Sequence, residues 1–423
     1  MRQFFKKRIG LIILIVMILA FPSSLSTQAR LNMRAIVTGL AIDRADGKYE
    51  VTAQIVKTSP STESGGEKAT VNFVSDTAET IIGAISKLSY KTGKTAGFSH
   101  TNFVILGKEV CAEDLTQTLD YFMRDSITND SMLLLIAEDK ASDEIKKTKD
   151  VELSIAIGLQ KVFMYREKEG DGVMTSLLAF MRDSKNASRT SVASMLMLKP
   201  NEENSEDNPL GSGSSGSQKS SSGGSSSSGG ESGTEDGGEQ GGGAKYQYFE
   251  AQTSIGCFVD GRFVGALEKD EVLGYMLANN KATIDDIFVD NIKEQTLSDA
   301  KVGVKIKHKT NRIKLRFEGN TPRLDLKVKI NHASIYEIES SVLVGRPTDS
   351  QFEAIKQAIT EKISDTITKC FDKSKEFKAD IWSAYEMGIK YHYDRVMENY
   401  PTMESFLSEL KLNVEVEIDR LEY

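Results

Sequence analysis

The stretch "AIVTGLAIDRADGKYEVTAQIVK", residues 35–57, sets the reading of the whole chain. Two β-branched runs, Ala35 to Asp43 and Tyr49 to Lys57, flank "RADGK". Its Asp46-Gly47 pair suits a tight turn that places both residues at positive φ, so the stretch predicts an antiparallel hairpin. Downstream, "TAETIIGAISKLSY" (77–90) predicts a helix with Ile81, Ile82, Ile85 and Leu88 on one face. "NFVILG" (102–107) follows as a short strand, and a helix then carries Leu115, Leu119 and Phe122. "SMLLLIAED" (131–139) does not alternate, which marks an interior strand. Strands alternating with helices after an opening hairpin make this region mixed α/β.

Further along, residues 211–243 hold 25 Gly or Ser in 33 positions and no apolar side chain. Such a segment cannot bury a core and reads as a flexible linker. With its acidic lead-in from Asn201 it would hold its ends roughly 35 to 40 Å apart as a coil, so the flanking parts need not touch. The linker contains Gly211, Gly213 and Gly216 in G-x-G-x-x-G spacing. No strand precedes it and no helix follows, so dinucleotide binding is set aside.

Beyond the linker, Cys257 to Val259 and Arg262 to Ala266 flank another Asp-Gly turn, Asp260-Gly261, with a short helix after it. "KVGVKIKHK" (301–309), "NRIKLRFEG" (311–319) and "RLDLKVKIN" (323–331) alternate apolar and polar residues, as antiparallel strands with one wet face do. Their Lys and Arg are assigned to that face. "DSQFEAIKQAITEKISDTITKCF" (349–371) carries Phe352, Ile355, Ile359, Ile363, Ile367 and Cys370 as one stripe, capped by Thr348, Asp349 or Ser350. A second helix is expected around "ADIWSAYEMGIKYHYDRV" (379–396). "LNVEVEID" (412–419) returns as a strand with Leu412, Val414, Val416 and Ile418 inward and Glu415 and Glu417 outward. The expected fold class is therefore α+β, or mixed α/β, ending in an antiparallel sheet packed by a long amphipathic helix. The expected organisation is a leader (1–29), a mixed α/β domain (30–200), the linker (201–245), a small middle domain (246–297) and a sheet-plus-helices domain (298–423).

The leader has Arg2, Lys6, Lys7 and Arg8 before an apolar run from Ile9 to Phe21. As a helix that run reaches about 20 Å, short of a bilayer core of about 30 Å. The small residues near Ala29 suit processing, although Thr27 is imperfect there, so cleavage and a retained anchor both stay open. Either way the basic flank sends the rest of the chain out of the cytoplasm. A net charge of -8 gives no electrostatic reason to hold nucleic acid.

Titratable side chains do not assemble into a catalytic pattern along the chain. Cys111, Cys257 and Cys370 are far apart in apolar settings and read as buried small hydrophobes. His100, His308, His332 and His392 have no zinc or haem spacing. Ser99 and His100 are adjacent, so in extended chain they point to opposite faces, and no orienting acid is spaced for them. "YHYDR" (391–395) reads as packing or a partner surface on a helix. Asp285-Asp286 and the run at 202–204 read as solvated charge. No catalytic, cofactor or metal residue is nominated, and no enzyme is expected.

From "MRAIVTGLAIDRADGKYEVTAQIV" onward the sequence resembles the Ger(x)C family, the C subunit of nutrient germinant receptors in endospore-forming bacteria. "GFSHTNFVILGKEV" (97–110), "LDYFMRDSITNDSMLLLIAEDKASDEI" (119–145), "GCFVDGRFVGALEKDEVLGYML" (256–277) and "KADIWSAYEMG" (378–388) are similar to family segments in the same order. The last stands where a "DifGfG" pattern is usual. Arg124, Asp125 and Trp382 match family positions, with a structural reading beside the functional one.

The resemblance implies three mixed α/β domains, no known catalysis and a place beside two polytopic membrane subunits on the outer face of the inner spore membrane. Family precursors carry a lipobox cysteine. Here "LSTQ" (25–28) stands about where it should, without the thiol that a lipid thioether needs. The expected function is a non-enzymatic, membrane-associated receptor subunit without a cofactor. The alternative is a free-standing extracytoplasmic solute-binding or adhesion protein. A secreted hydrolase would need a convergent acid, base and nucleophile that the sequence does not display. The sequence identifies no small-molecule ligand.

Overall fold

The structure, a computed structural model, describes residues 33–60, 67–124, 128–147, 155–199, 250–251, 254–279, 284–290, 292–340 and 346–423. The leader and almost all of the Gly/Ser-rich segment, including its G-x-G-x-x-G spacing and residues 202–204, lie outside these residues, as does Asp125.

The chain opens with strands β1 (Arg34–Ala45), β2 (Lys48–Pro60) and β3 (Glu67–Ala78), each antiparallel to the one before. The first turn has Asp46 at φ 50° and Gly47 at φ 76°, the conformation expected of its Asp-Gly pair. β3 has no counterpart among the elements that the sequence predicts, although Ser64, Gly65 and Gly66, residue types that favour turns, stand before it in the sequence. Helix α1 (Ile81–Thr92) is capped by Thr80, whose Oγ1 accepts from the Gly83 N–H at 3.1 Å. It buries Ile81, Ala84, Ile85 and Leu88. Ile82, expected on this face, is 55 % exposed, because it lies about 100° round the helix from Ile81.

Strands β4 (Thr95–Gly97) and β5 (Phe103–Leu106) both pair parallel to β1. The next stretch breaks into helices α2 (Lys108–Cys111), α3 (Leu115–Thr118) and α4 (Asp120–Arg124), yet Leu115, Leu119 and Phe122 are all buried as their spacing predicts. Strand β6 (Leu133–Ala137) is buried throughout and runs parallel to β5. Helices α5 (Ala141–Lys147), α6 (Ile155–Glu169) and α7 (Leu177–Asp183) lead to β7 (Thr190–Leu196), parallel to β6.

The two flanks of the Gly/Ser-rich segment meet. Strands β8 (Leu198–Lys199) and β9 (Glu250–Ala251) pair with each other. β10 (Ile255–Val259) pairs antiparallel with β7, and β11 (Arg262–Leu267) closes the sheet edge after Asp260 and Gly261, again both at positive φ. Helix α8 (Lys269–Ala278) and strand β12 (Ile284–Val289) follow. The segment 246–297 is thus shared out: its hairpin extends the first sheet, while β12 joins a second one.

In that second sheet the first two alternating stretches form one long strand, β13 (Lys301–Glu318), paired antiparallel to β14 (Thr321–Glu339). No Gly or Pro interrupts residues 309–312, so the chain passes through register shifts near His308 instead of turning. Helix α9 (Asp349–Glu376) starts at Thr348, which with Gln351 makes a capping box. It buries Ile355, Ile359, Ile363, Ile367 and Cys370, with Phe352 packed at the edge of the same core.

The second helix starts later than expected and breaks at His392 into α10 (Ala384–Tyr391) and α11 (Tyr393–Asn399), followed by α12 (Met403–Glu409). The sheet is antiparallel only through β12 to β14. Strands β15 (Lys411–Ile418) and β16 (Leu421–Glu422) join β14 parallel, because the helices carry the chain back to the end where β14 began. Lys327 and Lys329 lie on the wet face and pair with Glu415, Glu417 and Asp419. Lys309 departs from that face: its Nζ donates to the Met276 and Leu277 carbonyls at the end of α8, and burial pushes its ammonium down to about 8.

A single apolar cluster runs from Ile255 and Cys257 of the first sheet through Val272 and Met276 of α8 to Ile359 of α9 and Val328 of β14. α8 and α9 touch where Gly274 has no side chain, and a Cβ there would fall on the Thr366 carbonyl oxygen. Gly274→Ala should lower the unfolding free energy by about 2 to 3 kcal/mol, seen in urea titration as a lower midpoint at unchanged slope.

Candidate functional site

Two short segments, 184–191 after α7 and 377–386 after α9, meet where the parts of the chain carrying the two sheets contact each other. Ser184 and Ser191 share a hydroxyl hydrogen bond of 3.0 Å, and Asn186 accepts from the Arg189 N–H at 2.8 Å, which closes the first segment into a tight loop. Arg189 sits at φ 44° within it. In the second segment Lys378, at φ 53°, reverses the chain at the end of α9 and drops Asp380 into the interface.

Asp380 is 4 % exposed. Its Oδ1 accepts from the Ala384 N–H at 2.7 Å, and its Oδ2 accepts from the Tyr385 N–H at 2.7 Å and from Ser188 Oγ at 2.5 Å. The carboxylate therefore caps α10 and holds the opposite loop with the same group. Asp380 N–H donates to Thr190 Oγ1 at 3.0 Å, and that hydroxyl donates to the Ser188 carbonyl at 2.7 Å. Ser188 Oγ also accepts from the Glu386 N–H at 3.2 Å, and Asn186 Nδ2 donates to Glu386 Oε2 at 2.8 Å. Burial pushes the Asp380 carboxyl above its ordinary value, against the opposing pull of these donors.

The neighbours of Asp380 explain the rest of the segment. Trp382 stacks parallel on Phe371, ring centroids 6.0 Å apart, and its buried Nε1 has no hydrogen-bond partner among the described residues. Ser383 lies at φ 53°. Aligned on Asp380, it occupies the first glycine position of the "DifGfG" pattern, and this left-handed backbone is what a glycine there would provide freely. A second buried aspartate works the same way in the first sheet. Asp43, 3 % exposed, accepts from the Ala141 and Ser142 N–H groups at 2.8 and 2.7 Å and so caps α5.

The residues singled out in the sequence do not converge. Ser99 and His100 are exposed in a turn, and His308 is exposed on β13. His332 Nε2 lies 2.8 Å from Glu422, and His392 meets the Phe317 ring edge to face at 5.2 Å. Arg124 is exposed and ion-paired with Asp120 one turn earlier. Tyr391 and Tyr393 of "YHYDR" are exposed, while Arg395 covers Phe317. Asp285 and Asp286 fall on β12. The three cysteines are buried and unpaired, with burial pushing the Cys257 thiol up to about 12. Among the described residues no group of three metal-ligating side chains forms. Ser188 carries no local sequence signal, because its partnership with Asp380 spans a separation of 192 residues, and Asp380 is marked only as the first residue of the "DifGfG" pattern.

Two family models match the chain: the spore germination protein N-terminal domain over residues 27–198, and the spore germination B3/GerAC-like C-terminal domain over residues 253–421. Among solved structures, one described as the crystal structure of the GerBC protein is similar in fold. Its TM-score is 0.50 at 14 % identity, covering 90 % of this chain and 96 % of that one. No curated protein matches.

Asp380→Asn replaces one carboxylate oxygen with an amide that cannot accept, leaving an N–H of α10 or the Ser188 hydroxyl unmet. It should cost about 2 to 4 kcal/mol in denaturant unfolding, and Ser188→Ala about 1 to 2 kcal/mol. At position 383, Ser383→Gly should hold or raise the melting temperature. Ser383→Val should lower it, at a cost of about 1 to 2 kcal/mol for a β-branched residue in the left-handed region.

Proposed function

The chain belongs to the spore germination GerAC family, and on that footing we propose that it is the C subunit of a nutrient germinant receptor. In this reading it is a non-enzymatic scaffold outside the cytoplasm, held at the membrane and in contact with polytopic receptor subunits. The observation that carries the reading is the match of both family domains, in order, over residues 27–198 and 253–421. The fold is consistent with a scaffold. A shared core and the Asp380 network fix the two sheets against each other, so a load applied to one surface reaches the other without an intervening hinge.

Membrane residence would rest on the leader or on partner subunits, since residues 25–28 offer no thiol for a lipid. Among the described residues no helix is long and apolar enough to cross a bilayer.

Spores lacking the gene should germinate slowly on particular nutrients, measured as loss of optical density, and recover when the gene is restored. Unchanged germination on every nutrient tested contradicts the proposal.

A further inference from the structure

The end of the second sheet at the β13–β14 turn carries cations on one side and aromatic rings on the other. On the wet face, β13, β14 and β15 align in rungs: Arg316, Arg323 and Lys411 form the last, Lys314, Asp325 and Asn413 the next, and Arg312, Lys327 and Glu415 the third. Arg316 and Arg323 are neutralised by Asp325 and Glu318, and Lys327 by Glu415 and Glu417. Arg312, Lys314 and Lys411 are exposed and form no ion pair among the described residues. They span about 17 Å, taking roughly 4.8 Å between strands and 3.4 Å per residue along them. In a chain of net charge -8 they form a patch of the opposite sign. On the inner side His392 meets Phe317, and the Tyr400 hydroxyl donates to the Asn320 carbonyl at 2.9 Å, which seats the break between α10 and α11 beside the turn. Tyr391, Tyr393 and Met397 are 67, 56 and 38 % exposed there. The exposed carboxylates of Asp394, Glu398 and Glu409 more than offset Lys390 and Arg395, so the helices contribute aromatic surface and no net positive charge.

We propose that this end of the second sheet docks on the surface of an anionic lipid bilayer. Arg312, Lys314 and Lys411 face the headgroup phosphates, and Tyr391, Tyr393 and Met397 enter the interfacial layer. Tyrosine suits that layer because its ring is apolar and its hydroxyl stays wet. Unpaired cations gain from the negative potential of the surface, whereas those already held by carboxylates do not. The face of a sheet is flat on this scale, which fits a planar partner. An acidic polypeptide would answer the cations and leave the exposed rings without a seat. The negative remainder of the chain is repelled by the same surface, so the charge distribution favours an approach with this end first. The inference rests on the reading of a protein held at the membrane and adds which surface meets the lipid.

The test is hydroxyl-radical footprinting of the full-length chain, read by mass spectrometry, with vesicles of phosphatidylcholine alone or with about one third phosphatidylglycerol. Oxidation at Tyr391, Tyr393 and Met397 should fall about fivefold or more on the anionic vesicles only, while exposed Tyr90 on α1 stays unchanged as the internal reference. At about 1 M salt the protection should vanish. The readout is per residue, so attachment through the leader does not mimic it. Arg312→Gln, Lys314→Gln and Lys411→Gln together should leave the melting temperature unchanged and, at about fivefold per cation, weaken docking about 100-fold. Should that variant unfold, Tyr391→Ser with Tyr393→Ser, both at exposed positions, should expose Met397 again on the anionic vesicles. Equal oxidation on the two vesicle types overturns the proposal, as does protection unchanged in the folded variants. Poly-L-glutamate that protects the same three residues as strongly as the vesicles would assign the surface to an acidic polypeptide and overturn it too. Impaired germination of spores lacking the gene, with no footprint on vesicles, removes this inference and leaves the receptor role standing.

Discussion

A carboxylate taken out of water has to be met by hydrogen-bond donors, and in this protein the donors come from places the chain would not otherwise bring together. Asp380 is met by two backbone N–H groups at the start of α10 and by the hydroxyl of Ser188. That single group ends the turn after α9, starts the next helix and fixes the loop before β7 against it. Its desolvation is offset by these three donors together, so the local turn and the long-range contact reinforce each other. Asp43 repeats the device inside the first sheet, reaching 98 residues along the chain to cap α5.

The same logic explains why the Gly/Ser-rich segment does not divide the molecule. Its length leaves the two flanks free to separate, but β7 has an unpaired edge and β10 fills it. The β10 side chains then extend into the apolar cluster shared with α8, α9 and β14. Edge pairing brings the chain after the Gly/Ser-rich segment back onto the first sheet, and core continuity and the Asp380 network then hold the second sheet against it.

Elements whose signals are local were legible in the sequence. Both Asp-Gly hairpins, the interior strand at 133–137 and the stripe of α9 follow from turn chemistry and periodicity, and all three cysteines are buried as their settings predict. Elements specified by tertiary partners were not. β3 and the helices between β6 and β7 carry weak patterns of their own. The parallel placement of β15 depends on where the helices return the chain. Lys309 alternates with apolar residues as a wet-face lysine would, yet it turns to cap α8 because that helix ends within its reach. At the junction, the segment from Lys378 to Gly388 was recognisable as a pattern, but its meaning lay in Ser188, which nothing nearby marks.

The central claim is that both sheets and the joint between them unfold as one unit. Native-state hydrogen exchange measures this most directly, by comparing the amides of Ala384 and Tyr385, bonded to Asp380, with those of Leu134 and Leu135 in β6. Equal opening free energies at the two places are the predicted result. Exchange at Ala384 and Tyr385 faster by orders of magnitude would show that the junction opens on its own, and would contradict the account.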